Sequence, residues 1–124
     1  MPSLTALLSP RFRRHWRLLL WLLTMIVSWF AFKPNTGEDI VVHVDKLRHV
    51  FAFATLAAVA ALGWPPGVRQ SRLIAIGLLA YGLAIELVQS QLPTRSASVA
   101  DWMMDGVGVA LGLLLMQRLR RQQK

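Results

Sequence analysis

Four apolar segments, separated by short polar stretches, organise the chain. They cover roughly residues 17–32, 47–64, 73–92 and 99–116. A helix needs about 20 mainly apolar residues to cross the hydrocarbon of a bilayer, within a usual range of about 17–25. Each segment reaches that range or falls just short of it, and flanking residues can extend it. The pattern predicts an all-α fold, a four-helix transmembrane bundle.

The first apolar segment follows a basic leader, RFRRHWR, as the apolar region of a secretory signal peptide would. No A-x-A cleavage site comes after it, because the chain reads WFAFKPNTGEDI at that point. Bulky aromatic residues at the end of an apolar segment are typical of the interfacial belt of a membrane helix. We therefore expect a retained spanning helix.

Composition agrees with a membrane protein of one domain. The chain has 124 residues, of which 55% are hydrophobic and 16% charged, whereas soluble domains average about 25% charged residues. The absence of cysteine excludes disulfides and thiolate metal sites. The net charge of +8 follows the positive-inside rule better than it fits a nucleic-acid partner, because the basic residues lie between apolar segments and at the termini.

Basic residues also predict the topology. With four spans, both termini and the connection between the second and third helices lie on one side of the membrane. That side holds ten of the fourteen basic residues, so both termini are predicted to be cytoplasmic. The corresponding divisions are a basic cytoplasmic segment at 1–16, a membrane domain at 17–117 and a basic cytoplasmic tail at 118–124.

Acidic residues show the opposite asymmetry. In the predicted topology all six fall in or near the extracytoplasmic half: Glu38, Asp39, Asp45, Glu86, Asp101 and Asp105. Charged groups within a membrane usually face the protein interior, have partners and mark functional sites. Any chemistry is therefore expected at the outer end of the bundle.

Helical spacing groups the polar positions of the second and third segments. Asp45, His49 and Phe53 are four residues apart and share one helix face, although Asp45 alone fits a helix cap. Glu86 is expected roughly 9 Å inside a helix that ends near residue 92, with Gln89 on the same face. Glu86 is either a polar lock between helices or part of a functional site.

The fourth segment places two carboxyls and two glycines on one face, because Asp101, Asp105, Gly108 and Gly112 fall at i, i+4, i+7 and i+11. Ser98 fits the N-cap of this helix. The glycines allow a neighbouring helix to approach closely, and we expect packing within the chain rather than dimerisation.

Three helices and one loop thus present polar groups at the same membrane level. The predicted polar site consists of Asp45, Lys46, His49, Glu86, Gln89, Arg95, Asp101 and Asp105. Unpaired buried charges cost several kcal/mol each, so mutual pairing is expected, with Arg95 between the carboxyls of the third and fourth helices.

These residues carry a family resemblance. The motifs are Asp45-Lys46-x-x-His49-x-x-x-Phe53, Glu86-x-x-Gln89, Pro93-x-Arg95, Asp101 and the glycines 108 and 112. Over roughly residues 40–116 the chain resembles the VanZ-like family of small integral membrane proteins, named after a protein linked to teicoplanin resistance. The family usually has Asn where this chain has Asp105. The resemblance implies a multi-pass protein of the bacterial cytoplasmic (inner) membrane.

Three kinds of function fit the predicted site. The first is non-enzymatic binding of a lipid headgroup or an envelope-active compound, with Lys46, Arg48 and Arg95 meeting phosphate. By resemblance, its setting would be glycopeptide tolerance or envelope maintenance. The second is an intramembrane enzyme acting on a lipid or lipid-linked substrate, with His49 and Glu86 as an acid–base pair. The third is an ion- or proton-coupled carrier or a structural subunit.

Cofactors and partners follow from the same residues. Nitrogen and oxygen ligands in His49, Glu86, Asp101 and Asp105 suit several divalent ions, but no His-x-x-x-His or similar spacing supports a metal, so neither metal nor cofactor is predicted. The expected partners are membrane lipid, a lipid-linked or glycopeptide ligand, and a second copy in a homo-oligomer.

Overall fold

Helices make up most of the residues described by the computed structural model, which are 3–34 and 42–124, with the side chains of 42–44 left out. No strand occurs in these ranges. The elements in chain order are α1 (Leu4–Leu7), a 3₁₀ turn (Pro10–Phe12), α2 (Arg13–Phe32), α3 (Val42–Gly63), α4 (Val68–Gln89) and α5 (Val99–Arg121). Glu38 and Asp39, and most of the predicted first outer loop, lie outside the described residues.

The four long helices confirm the predicted all-α fold, because each is long and apolar enough to cross a membrane. Their bounds differ from the apolar segments, since polar first and last turns belong to the helices. The largest consequence concerns α4, which ends at Gln89 rather than near residue 92. Glu86 therefore lies only about 4.5 Å from the helix end rather than roughly 9 Å.

Helix α3 lies at the centre of the bundle and packs most extensively against α5, and then against α2 and α4. Its buried positions include Phe53, Leu56, Ala57 and Ala60. Alanines let helix backbones approach closely, which is the main source of helix association where lipid tails remove the hydrophobic driving force. The alanine-rich face of α3 thus explains its central position.

The outer surface of the bundle is apolar, as a protein in lipid requires. Helix α2 is peripheral and buries none of its residues, and large side chains such as Met25, Trp29 and Phe51 are about 70% exposed. An exposed apolar surface of this extent indicates a hydrophobic environment or partner. The lipid bilayer supplies it for all four long helices.

Two arginines close the end of the bundle opposite the acidic residues. Arg17 Nε donates to the carbonyl of Gly63 at 2.7 Å, and its guanidinium lies 4.9 Å from the centre of the Trp64 ring. Arg120 donates to the carbonyl of Ala61. The last carbonyls of a helix lack intrahelical donors and carry partial negative charge, so both cations stabilise the C-terminal end of α3.

Candidate functional site

The α3–α5 contact brings an imidazole and a carboxylate together inside the bundle. His49 Nδ1 lies 2.6 Å from Asp105 Oδ1, and the Asp105 side chain is completely buried. When Asp105 is ionised it can only accept, and the proton of the bond then belongs to His49 Nδ1, with Nε2 facing the other way. The pair is thus oriented as well as joined.

Two glycines make this close approach of α3 and α5 possible. A Cβ atom at Gly108 would meet the carbonyl of Val50, and one at Gly112 would meet the carbonyl of Ala54. Because these obstacles are backbone atoms, they cannot rotate aside. Both glycines therefore lie where α3 and α5 pack against each other within the chain.

A more exposed rim lies above the His49–Asp105 pair. Lys46 Nζ is 3.3 Å from Asp101 Oδ1, and His49 Nε2 is 3.8 Å from Asp101 Oδ2. Asp45 offers a carboxylate oxygen within 4.8 Å of ligand atoms of His49 and Asp101. Asp45 and Asp101 lie in the first turns of α3 and α5, where the helix dipole favours negative charge.

Helix α4 adds a buried carboxyl from the third side. Glu86 Oε2 accepts a hydrogen bond from the backbone N–H of Ser98 at 2.8 Å. The hydroxyl of Ser98 in turn accepts from the backbone N–H of Asp101 at 3.2 Å, which confirms Ser98 as the N-cap of α5. Glu86 therefore joins the end of α4 to the beginning of α5, and it also lies beside His49 and Asp105, with ligand atoms within 4.8 Å.

Gln89 and Arg95 belong to a different contact. Gln89 Nε2 donates to the carbonyl of Ala31 at 2.9 Å. Arg95 donates to the carbonyl of Lys33, from Nε at 3.1 Å and from Nη2 at 2.9 Å, and Nη2 also donates to the carbonyl of Phe30 at 3.0 Å. Arg95 was expected between the carboxyls, but the structure places it at the C-terminal end of α2. The reason is that orphaned helix-end carbonyls attract a cation as carboxylates do.

One residue important for the site was not found from the sequence. A Cβ atom at Gly82 would come within 2.7 Å of Asp105 Oδ2 and 3.3 Å of the Phe53 ring. The missing side chain of this α4 residue therefore makes room for the buried carboxyl. A lone glycine in an apolar helix carries no signal of that role, because the obstacle comes from two other helices.

The arrangement forms a continuous polar path from the surface into the bundle. It begins at Lys46, whose side chain is 32% exposed, passes through Asp101 at 13% and His49 at 18%, and ends at the buried Asp105. Glu86 adds a further carboxyl at the inner end. Such a path can bind a polar group at the rim, relay a proton or hold a cation.

Comparison with known proteins identifies the family. No curated protein and no solved structure matches the chain. The model of the family described as VanZ/LLP1 matches residues 3–120. This span includes all residues of the polar site and almost the whole chain. The protein therefore belongs to the VanZ/LLP1 family, and it is a multi-pass membrane protein by its four long apolar helices.

Proposed function

We propose that this VanZ/LLP1 protein binds the headgroup of an envelope lipid, or the polar part of an envelope-active compound, at the outer end of its bundle. The observation that supports the proposal is the polar path from Lys46 through Asp101 to His49 and Asp105. Ionisable groups so close to hydrocarbon are costly to bury, and those that occur in membrane proteins usually mark functional sites. The path opens at the membrane surface, where headgroups lie.

The charges of the rim fit a zwitterionic headgroup. Lys46 supplies a cation for a phosphate, and Asp45 and Asp101 supply acceptors for an ammonium group. Because Arg95 already donates its hydrogen bonds to carbonyls at the end of α2, the contact with the phosphate depends mainly on Lys46. A primary ammonium with three N–H donors matches the two carboxylates better than a quaternary ammonium, which has none.

The family and the charge pattern support a physiological setting for the proposal. In a bacterial cytoplasmic membrane with both termini inside, the rim would lie in the outer leaflet. A protein that holds headgroups there would act in envelope maintenance or in tolerance to glycopeptides such as teicoplanin. A homo-oligomer is compatible with the exposed apolar faces but is not required by the site.

Lipid retention tests the proposal. The samples are the purified wild-type protein and the variant Asp101→Asn. Each is exchanged into detergent that contains equal amounts of phosphatidylethanolamine, phosphatidylcholine and phosphatidylglycerol. Native mass spectrometry then counts the lipids that remain bound. Wild type should retain phosphatidylethanolamine in preference to the others. The loss of one charge-assisted hydrogen bond should weaken that retention roughly tenfold or more.

Arg72→Gln is the matched control, because Arg72 is exposed near the beginning of α4, at the other end of the bundle. Equal retention of the three lipids, or loss of retention in the control as large as in Asp101→Asn, would contradict headgroup binding at the rim. Teicoplanin sensitivity of cells that express either variant tests the physiological setting separately.

An enzymatic function remains the second candidate, favoured by one observation. The short bond between His49 Nδ1 and Asp105 Oδ1 orients the imidazole as carboxylate–histidine pairs do in general-base catalysis. Incubation of the protein with radiolabelled lipid and lipid-pyrophosphate substrates tests this function. Product that the wild-type protein forms and His49→Gln does not form would support an enzyme. Equal product levels for the wild type and His49→Gln would oppose it.

A further inference from the structure

Two buried carboxylate oxygens lack hydrogen-bond partners among the described residues. They are Glu86 Oε1 and Asp105 Oδ2, on residues whose exposures are 5% and 0%. A buried charge without a partner costs far more than a buried apolar group. Each side chain already uses its other oxygen, in the bonds to Ser98 and His49. A cation or a hydrogen-bond donor would satisfy the remaining oxygens, and no side chain among the described residues supplies one to them.

The two carboxyls and His49 are arranged around a small volume. One ligand atom from each of the three residues lies within 4.8 Å of the other two. Three ligand atoms bound to one ion at about 2.0–2.2 Å lie roughly 3.3–3.8 Å from one another, so the side chains close around the ion by up to about 1.5 Å. The residues come from α3, α4 and α5, which surround the volume on three sides.

The ligand types indicate the class of ion. An imidazole favours zinc, iron, nickel or copper, and carboxylates suit manganese and magnesium. A dication would also neutralise the two carboxylates, which removes the cost of burying them. We propose that His49, Glu86 and Asp105 form a binding site for one divalent transition-metal ion of the Zn²⁺ or Mn²⁺ type. The ion takes the place of the proton on His49 Nδ1, which is released to water, so the direct hydrogen bond to Asp105 is replaced by bonds of both groups to the ion. The proton then sits on Nε2, which faces Asp101 Oδ2.

The surroundings provide support and access for the ion. Gly82 makes room for the Asp105 carboxyl, because a Cβ atom there would come within 2.7 Å of Asp105 Oδ2. On the exposed side, Asp45 and Asp101 form a second group with His49, so an ion can pass from rim ligands to buried ligands through a shared imidazole. The buried site goes beyond the headgroup proposal and does not depend on it. Its ligands Glu86 and Asp105 are not rim residues, and only His49 belongs to both groups.

Metal titration of the purified protein tests the site. The protein is prepared with a tag that contains no histidine, stripped with chelator, and titrated with Zn²⁺, Mn²⁺ and Mg²⁺ by calorimetry. The absence of cysteine removes thiolates as competing ligands. One Zn²⁺ or Mn²⁺ should bind per chain, and Mg²⁺ should bind more weakly because imidazole is a poor magnesium ligand.

Substitutions locate the ion. Glu86→Gln and Asp105→Asn keep the side-chain shapes and should each lower the affinity by more than the roughly 10–100-fold typical of a lost outer-shell partner. Asp45→Asn, which changes only the rim group, should have a smaller effect. His15→Gln is the control for a histidine elsewhere, since His15 is exposed near the other end of the bundle.

Absence of binding, or binding that survives Glu86→Gln and Asp105→Asn, would overturn the proposal, as would an Asp45→Asn effect equal to that of Asp105→Asn. If the buried variants do not fold, X-ray absorption of the Zn²⁺-loaded wild type decides. One imidazole with oxygen ligands is the expected first shell, and either no imidazole or two would refute the site. Lipid retention measured on the same samples shows separately whether the headgroup proposal stands.

Discussion

The contact between Gly108 and the α3 backbone controls how closely α3 and α5 approach. A Cβ atom at this position would collide with the carbonyl oxygen of Val50 and lie 3.0 Å from the backbone nitrogen of Ala54. The substitution Gly108→Ala should therefore force the two helices apart. Because His49 and Asp105 face each other across the same interface, their hydrogen bond should lengthen as well.

The magnitude is estimated by comparison with Gly106→Ala. A Cβ atom at Gly106 would lie 3.4 Å from Leu79 Cδ2, which is an ordinary contact with a flexible side chain. Both variants gain the same intrinsic helix propensity, up to about 1 kcal/mol. Only Gly108→Ala overpacks the interface, which costs about 1–3 kcal/mol. The free energies of unfolding of the two variants should therefore differ by about 1–3 kcal/mol.

Unfolding by titration of SDS into mixed micelles, followed by fluorescence of the five tryptophans, measures this difference. Gly106→Ala should be as stable as wild type or slightly more stable, and Gly108→Ala should unfold at lower SDS. Gly112→Ala should resemble Gly108→Ala, and the double variant should cost less than the sum because both widen one interface. Equal stability of the 106 and 108 variants would refute the close α3–α5 packing.

Three further predictions concern other parts of the chain. Tyr81→Phe removes the hydrogen bonds of the Tyr81 hydroxyl to Ser28 Oγ at 2.6 Å and to the carbonyl of Thr24 at 3.0 Å, both of which join α4 to α2. In the same SDS assay it should lower the unfolding free energy by about 0.6–1.7 kcal/mol, and an unchanged value would contradict these bonds. Arg95→Gln removes the three hydrogen bonds that Arg95 donates to carbonyls at the end of α2. A spin label attached to a cysteine introduced on α2 should therefore become more mobile, and an unaltered spectrum would argue against this capping role. In the cysteine-free chain, Ser96→Cys should react with a membrane-impermeant maleimide in intact spheroplasts and Ser71→Cys only after lysis, and the reverse pattern would invert the predicted topology.

The four spans were predictable because each apolar segment reaches, or nearly reaches, the length needed to cross a bilayer, which is a property of local sequence. Helix ends were less predictable. The expected end of α4 near residue 92 was wrong by a short distance, because the apolar Leu92 continues the hydropathy pattern beyond the helix, which ends at Gln89. Apolarity marks what can enter lipid, whereas the helix end depends on where the backbone turns towards α5.

Much of the candidate site also follows from spacing. His49 lies one turn after Asp45, and Asp105 one turn after Asp101, so two helix faces with polar groups were visible in the sequence. The partner of each group was not. Arg95 carries the same charge whether it meets carboxylates or helix-end carbonyls, and only the position of α2 determines that it binds the carbonyls of Phe30 and Lys33.

The amino-acid sequence is enough to predict the four membrane helices, the end of the bundle where the acidic residues lie and the glycine face of α5. Each of these depends on composition or on the 3.6-residue period of a single helix. Which atoms meet depends on the tertiary structure. It brings His49 to Asp105, makes room for the Asp105 carboxyl beside Gly82, and joins Glu86 to the backbone of Ser98. Those contacts join three helices, and their geometry depends on how closely backbones can pack, which no single segment encodes.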